Sequence, residues 1–248
     1  MKTIDAKDLS YKQLNEKLFN SIDEGERQIR LTNVNGHRYI AAGCSLKDLE
    51  IEIEGTPGND LGAFMNGPTI TVKGNVQDAT GNTMNYGRII IQGDARDVTG
   101  HSMRGGMILV KGNIGYRVGL HMKAFGNNFP IIVAGGKADD FLGEYMAGGI
   151  LIILGLFNGD DERLIGDWTG TGMHAGVIYV KGSVSEDQLG YGAKLIDFTE
   201  DDREQIAPIL REYGKCFGMK LSKLNDEKFT KIVPVSYRPY GTLYALKI

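Results

Sequence analysis

The chain has 248 residues, with 28 basic and 31 acidic side chains evenly mixed and a formal net charge of −3. That balance offers no basic footprint for nucleic acid and no polybasic patch for a membrane surface. The length suffices for a core without disulfide support. Cys44 and Cys216, in no C-x-x-C arrangement, give no disulfide framework, iron–sulfur cluster or cysteine zinc site, and both read as small buried hydrophobes.

The opening MKTIDAKDLSYKQ is charged from its first residues, unlike a secretory signal. The longest aliphatic run, GGILIILGLF, is too short to cross a bilayer, so a cytoplasmic location is expected. Ser10 is a helix N-cap for YKQLNEKLFNSIDE, whose Leu14, Leu18 and Ile22 share one face and whose stop is Gly25. This helix is expected to cover the first open coil of a repeat region that begins near Gly43.

Glycine is over-represented at 35 residues, and the glycines punctuate aliphatic runs such as RIIIQ, MILVK and VIYVK, a pattern of internal repeats. From one glycine to the next the chain reads GCSLKDLEIEIEG, GAFMNGPTITVKG, GNTMNYGRIIIQG and GHSMRGGMILVKG, and the frame returns in GEYMAGGILIILG and GTGMHAGVIYVKG. A seventh copy, from Gly119 to Gly135, carries four extra residues near Phe125 that could form a docking loop. The opening glycines at 43, 62, 81, 100 and 119 are 19 residues apart; the next gaps, to 143 and 170, are 24 and 27.

Three residues after each opening glycine stand Leu46, Met65, Met84, Met103, Met122, Met146 and Met173. The fourth residue before each closing glycine is Ile51, Ile70, Ile89, Ile108, Ile131, Leu151 or Ile178. The second before it is Ile53, Val72, Ile91, Val110, Val133, Ile153 or Val180. Polar residues between them, such as Glu52, Thr71 and Tyr179, give the period of two that marks a strand with one face in a core. Nineteen residues with three glycine corners cannot hold two amphipathic helices. The expected fold is therefore an all-β solenoid, a right-handed parallel β-helix of about seven glycine-cornered coils, with three strand faces per coil, an internal methionine stack and helical caps at both ends.

Within the repeats, GHSMRGG comes close to the G-x-S-x-G elbow that presents a nucleophilic serine. Ser102, however, aligns by one period with Thr83 and by two with Phe64, Arg104 replaces the second glycine, and a strand comes next where the elbow needs a helix. A free-standing esterase using Ser102 is the lesser reading; a repeat corner is the better one. GTGMHA, residues 170–175, matches a dinucleotide-binding G-x-G-x-x-A but also leads into a strand, leaving no helix N-terminus for a pyrophosphate. Asp78 with Asp97, and Asn75 with Asp94 and Asn113, form polar columns that could hold calcium between coils. The first breaks at Tyr116, and stacked turn side chains satisfying backbone groups fit better. His37, His101, His121 and His174 fall at different phases of the repeat, which points to surface or packing roles.

After Gly192, Thr199 is an N-cap for a helix with Ile206, Ile209, Leu210, Tyr213 and Phe217 at helical spacing, and Pro208 should kink it or start a second helix. The tail FTKIVPVSYRPYGTLYALKI alternates apolar and polar residues, fitting either a face of the coil or a partner. The chain thus divides into a helix and lead-in strand (1–42), a β-helix repeat domain (43–192) and a helical segment with an extended tail (193–248).

The G-x-x-M-x-x-G corners at 19-residue spacing, the lead-in LTNVNGHRYIAAG and the ending FTKIVPVSY together resemble the C-terminal β-helix, or GXGXG, domain of the glutamate synthase large subunit. The resemblance spans roughly residues 30 to 240 and is to the free-standing, archaeal-type form in which the large subunit is split. The β-helix subunit of formylmethanofuran dehydrogenase is similar too. The resemblance implies little chemistry in this chain. Glutamine hydrolysis belongs to an amidotransferase with an N-terminal cysteine, and glutamate formation from 2-oxoglutarate to an FMN-binding barrel with an iron–sulfur cluster. Both would be partner subunits, and this chain a cytoplasmic scaffold with no catalytic, cofactor or metal residue of its own, free to self-associate.

Overall fold

A computed structural model of the chain describes residues 1–126, 128–159, 162–221, 224 and 227–236. One sheet of eleven strands runs the length of the molecule, in the order β1-β2-β3-β4-β5-β6-β7-β8-β9-β11-β10. Strand β1 (Lys2–Asp5) leads through helix α1 (Tyr11–Asp23) to β2 (Gln28–Asn35), which pairs with it in parallel. The repeat strands are then stacked in parallel: β3 (Glu50–Thr56), β4 (Asn66–Val72), β5 (Tyr86–Ile91), β6 (Met107–Val110), β7 (Ile131–Ala134), β8 (Ala147–Ile153) and β9 (Ala175–Lys181).

The fold is a parallel β-helix. Six turns join the seven repeat strands instead of the seven coils expected, because the chain leaving β9 returns in parallel only at the single Thr169–Leu189 bridge and adds no further parallel strand to the sheet. It forms β10 (Ala193–Ile196) and helix α2 (Glu200–Phe217), then comes back as β11 (Phe229–Pro234), antiparallel to both β9 and β10. The first part of the tail is thus a sheet strand, whereas residues 237–248 lie outside the described residues.

Only one of the three expected strand faces is a continuous sheet. The second is reduced to single parallel bridges along Val76, Ala95, Ile114 and Ala138. The third is a corner where backbone alternates in and out of the left-handed region, which no strand tolerates. The interior matches the sequence pattern. Met65, Met84, Met103, Met122 and Met146 are fully buried in one column, flanked by Ile70, Ile89, Ile108, Leu151 and Ile178. A side chain on Gly106 (φ +80°) would come 2.5 Å from the Met84 Cε, so the glycine is the space into which the preceding coil's methionine fits. Gly87 (φ +110°) lies against the carbonyl oxygen of Pro68. Glycine is required at both on two counts, conformation and room.

The copy around Phe125 is out of register with expectation by one residue. Ile132 and Ala134 pair with Ile108 and Val110 and enter the core, while Ile131 and Val133 face outward. Its closing glycine is therefore Gly136, whose N–H donates to Gly112 O, and the insertion has five residues, matching the 24-residue step against 19. In IIVA all four residues are apolar, so the alternation that fixes register elsewhere is missing.

Helix α1 closes the N-terminal end as expected. A capping box between Ser10 and Gln13 starts it, and Leu14, Leu18 and Ile22 are buried against Ile29 and Leu31. Helix α2 also forms, with a Thr199/Asp202 capping box and Gly218 (φ +66°) at its end, and it runs unbroken through Pro208 with no second helix. Its position differs from the expected cap. Ile206, Ile209, Leu210 and Tyr213 cover the outer face of the sheet, against Leu109, Ile131, Val133, Ile150, Ile152 and Tyr179. The C-terminal end is covered instead by Val184, Leu189, Ala193, Leu195 and Ile232.

Candidate interaction surface

The third face of the solenoid is built from a conformational rhythm. From Gly62 onward each opening glycine lies between two further left-handed residues: Asp60 and Phe64, Ala79 and Thr83, Val98 and Ser102, Arg117 and His121, Phe141 and Tyr145, with Trp168 and Gly172 in the last turn. Non-glycine residues take this conformation at a cost. Ladders from the next coil hold them, such as Thr83 N–H to His101 O (2.7 Å), Ser102 N–H to Leu120 O (2.8 Å) and Tyr145 N–H to Thr171 O (2.8 Å). The side chains therefore project outward in two rows.

Toward the C-terminal end those rows become aromatic and cationic. In one, the Arg117 guanidinium lies 4.4 Å from the Phe141 ring centroid and Phe141 stacks on Trp168 at 4.9 Å and 21°. In the other, His121 stacks on Tyr145 at 5.4 Å and 11°, and meets His101 edge-on at 6.1 Å. Trp168 is 51 % and Tyr145 44 % exposed, and nearby Tyr191 is 94 % exposed. A cavity of about 540 Å³ opens beside them, lined by Tyr145, Gly172, Met173, His174, Tyr191 and Val235. Tyrosine, tryptophan and arginine displayed on a rigid frame are the residues that dominate protein interfaces.

Ser102 belongs to this corner. Its Oγ is 3.4 Å from His101 Nε2, His101 Nδ1 is 3.3 Å from Asn82 Oδ1, and Asn82 Nδ2 donates to Asp60 at 3.0 Å. Burial, then the charge of His121, pulls the His101 imidazole below its usual range, keeping it neutral near pH 7. This string could relay a proton, yet the amides a tetrahedral oxyanion would need are spent. The N–H groups of His101, Ser102 and Met103 donate to Val98 O, Leu120 O and Gly100 O. The left-handed backbone of Ser102 is shared by Phe64, Thr83 and Tyr145, so it is a property of the repeat and not of a nucleophile elbow.

The other sequence signals resolve as packing. In GTGMHA the His174 N–H donates to Met146 O and the chain enters β9, with no helix. Asn75, Asp94 and Asn113 each accept, through Oδ1, the backbone N–H of the residue one coil on: Asp94 at 2.9 Å, Asn113 at 2.7 Å and Lys137 at 2.9 Å. Asp97 does the same for Tyr116, and Asp140 for Asp167. These side chains satisfy backbone groups, and among the described residues no group of three or more His, Cys, Asp or Glu could hold a metal ion. His37 accepts from the Asn35 N–H and so donates from Nε2 to Leu9 O. Cys44 is buried. Cys216 is half-buried against the outer cluster, where burial and Glu212 push its thiol up. No helix among the described residues is long and apolar enough to cross a membrane.

Sequence reading missed two arrangements. The aromatic rows were hidden by the steps of 24 and 27 residues; counting from each opening glycine would have aligned His121 with Tyr145 and Arg117 with Phe141 and Trp168. The second is a buried polar lock. Asp202 Oδ1 accepts from Tyr179 Oη at 2.7 Å and pairs with Lys231 Nζ at 2.6 Å, joining α2, β9 and β11. Burial would raise this carboxyl, but bonds from Lys231, the Thr199 amide and Tyr179 outweigh it and hold it at about 2.

The model of the family described as GXGXG motif matches residues 11–235. The chain is 50% identical over 248 residues to "Uncharacterized protein MJ1350" of Methanocaldococcus jannaschii, covering 97% of this chain and 95% of that protein. A glycine-cornered parallel β-helix, matched along nearly all its length, places the chain in the GXGXG family.

Proposed function

We propose that the chain is the non-catalytic assembly subunit of a split glutamate synthase, on which partner subunits form glutamate from glutamine and 2-oxoglutarate. The observation that carries this reading is the corner itself, an exposed aromatic and cationic surface on a rigid coil whose backbone N–H groups at His101, Ser102, Met103, Tyr145 and His174 are engaged in holding the coil together. Family membership supports it, since GXGXG domains occur in glutamate synthase large subunits. In this reading FMN and the iron–sulfur cluster reside on one partner and glutamine hydrolysis on another, all in the cytoplasm.

The test is purification of the protein at low salt from cells that express it, with its companions identified by mass spectrometry. The expected companions are an FMN-barrel iron–sulfur protein and a glutamine amidotransferase. Recovery with subunits of a molybdenum or tungsten formylmethanofuran dehydrogenase would overturn the assignment in favour of the second resembling family, and recovery alone would overturn the scaffold role.

A further inference from the structure

The row Arg117–Phe141–Trp168 has two ends of different character. At the first, the chain's own Arg117 covers the Phe141 ring and is steadied by Glu144 at 2.9 Å. At the second, Trp168 has Phe141 as its one ring partner and no cation over it among the described residues, and it is half exposed. The next turn passes close by, with the Thr169 N–H donating to Gln188 O. That turn carries exposed Glu186 and Asp187.

The surroundings are acidic. Asp167, next to Trp168, donates its N–H to Asp140, beside which lies Asp139, and Glu186 and Asp187 stand on the next turn; Arg163 is already paired with Asp167, and Lys137 with Glu162. Asp139 is raised by burial and by repulsion from Asp140 and Asp97. A ring face is attracted to a cation, most strongly when the ring is an indole.

We propose that the open face of Trp168 is a socket for an arginine side chain of the partner subunit, completing an alternation of cation, ring, ring and cation. The acidic rim favours a cationic occupant over an apolar one, and a planar guanidinium stacks flat on a ring, covering more of it than an ammonium does. This inference rests on the scaffold reading, since it names what the docking partner presents.

Trp168 is the sole tryptophan, so its emission reports on the socket alone. The full chain is titrated with a blocked tetra-arginine peptide and, separately, with a tetra-glutamate peptide. The expected result is saturable quenching by tetra-arginine only, weakened by about threefold or more in Asp187→Asn and in about 0.5 M salt. With a labelled tetra-arginine peptide, Trp168→Leu should lose roughly fivefold in affinity while Trp168→Phe, which keeps a ring, loses less. Absence of quenching, equal quenching by both peptides, or unchanged binding to Trp168→Leu would overturn the socket. Failure here with the expected companions recovered sinks the socket alone; saturable quenching with no companion recovered sinks the scaffold reading.

Discussion

The two halves of the sheet share one inner face and differ on the outer one. In β3 to β5 the outward positions are Glu50, Glu52, Thr69, Thr71 and Arg88, laced by Arg30–Glu52 (2.9 Å) and Lys73–Glu52 (3.2 Å), with Ile90 of β5 the one aliphatic residue among them, next to Leu109 at the boundary with the covered half. In β6 to β9 they are Leu109, Ile131, Val133, Ile150, Ile152 and Tyr179, sealed beneath α2. The inner face is dictated by the coil above and below, so it repeats; the outer face records what lies on it. Strands buried on both faces read as continuous apolar runs, and MILV, IIVA and ILII do so, whereas EIEIE alternates.

Substitutions can break or sharpen this contrast. The largest effect is expected from Asp202→Asn, which strands Lys231 under the covered half; a loss of about 3–5 kcal/mol should appear in urea unfolding at pH 7. The native carboxyl titrates at about 2 against roughly 3.9 when unfolded, so its stabilisation is full above pH 4 and fades as pH falls toward 2. The variant should lose that acid sensitivity. Met103→Ala, at the junction of the two halves, should cost on the order of 2–5 kcal/mol by leaving a cavity in the stack, read from the shift in unfolding midpoint. Finding it neutral would mean the column does not fill the coil.

Gly106→Ala should cost about 1–3 kcal/mol by the same measurement, from strain and the displaced Met84 methyl group. Breaking the open half's charge lattice with Arg30→Ala should cost about 1 kcal/mol or less, and less still in high salt, because Glu52 is only half-buried and Glu54 is exposed, so both stay solvated. Ser102→Ala should be smallest, within about 0.5 kcal/mol, and should leave no ester turnover to lose.

How much of this was legible depends on the repeat. The methionine column and its flanking aliphatics were legible because three neighbours specify each position. Ile131 was misassigned because β7 has no polar residue to mark its outer face. Helix α2 was expected as an end cap because its apolar stripe fits an open coil end and an apolar sheet face equally well, and only the doubly apolar strands β6 to β8 tell them apart. The aromatic corner was obscured by insertions that break the count, and the left-handed backbone of Ser102, Tyr145 and Trp168 has no residue-type signature of the kind glycine supplies.

The most direct measurement is glutamate formation from glutamine and 2-oxoglutarate by the isolated complex, with this chain present, removed and added back. The account predicts no turnover by the chain alone, a loss when it is removed, and recovery on adding the native chain back. Full activity of the partners without it, or turnover by the chain alone, would contradict the account.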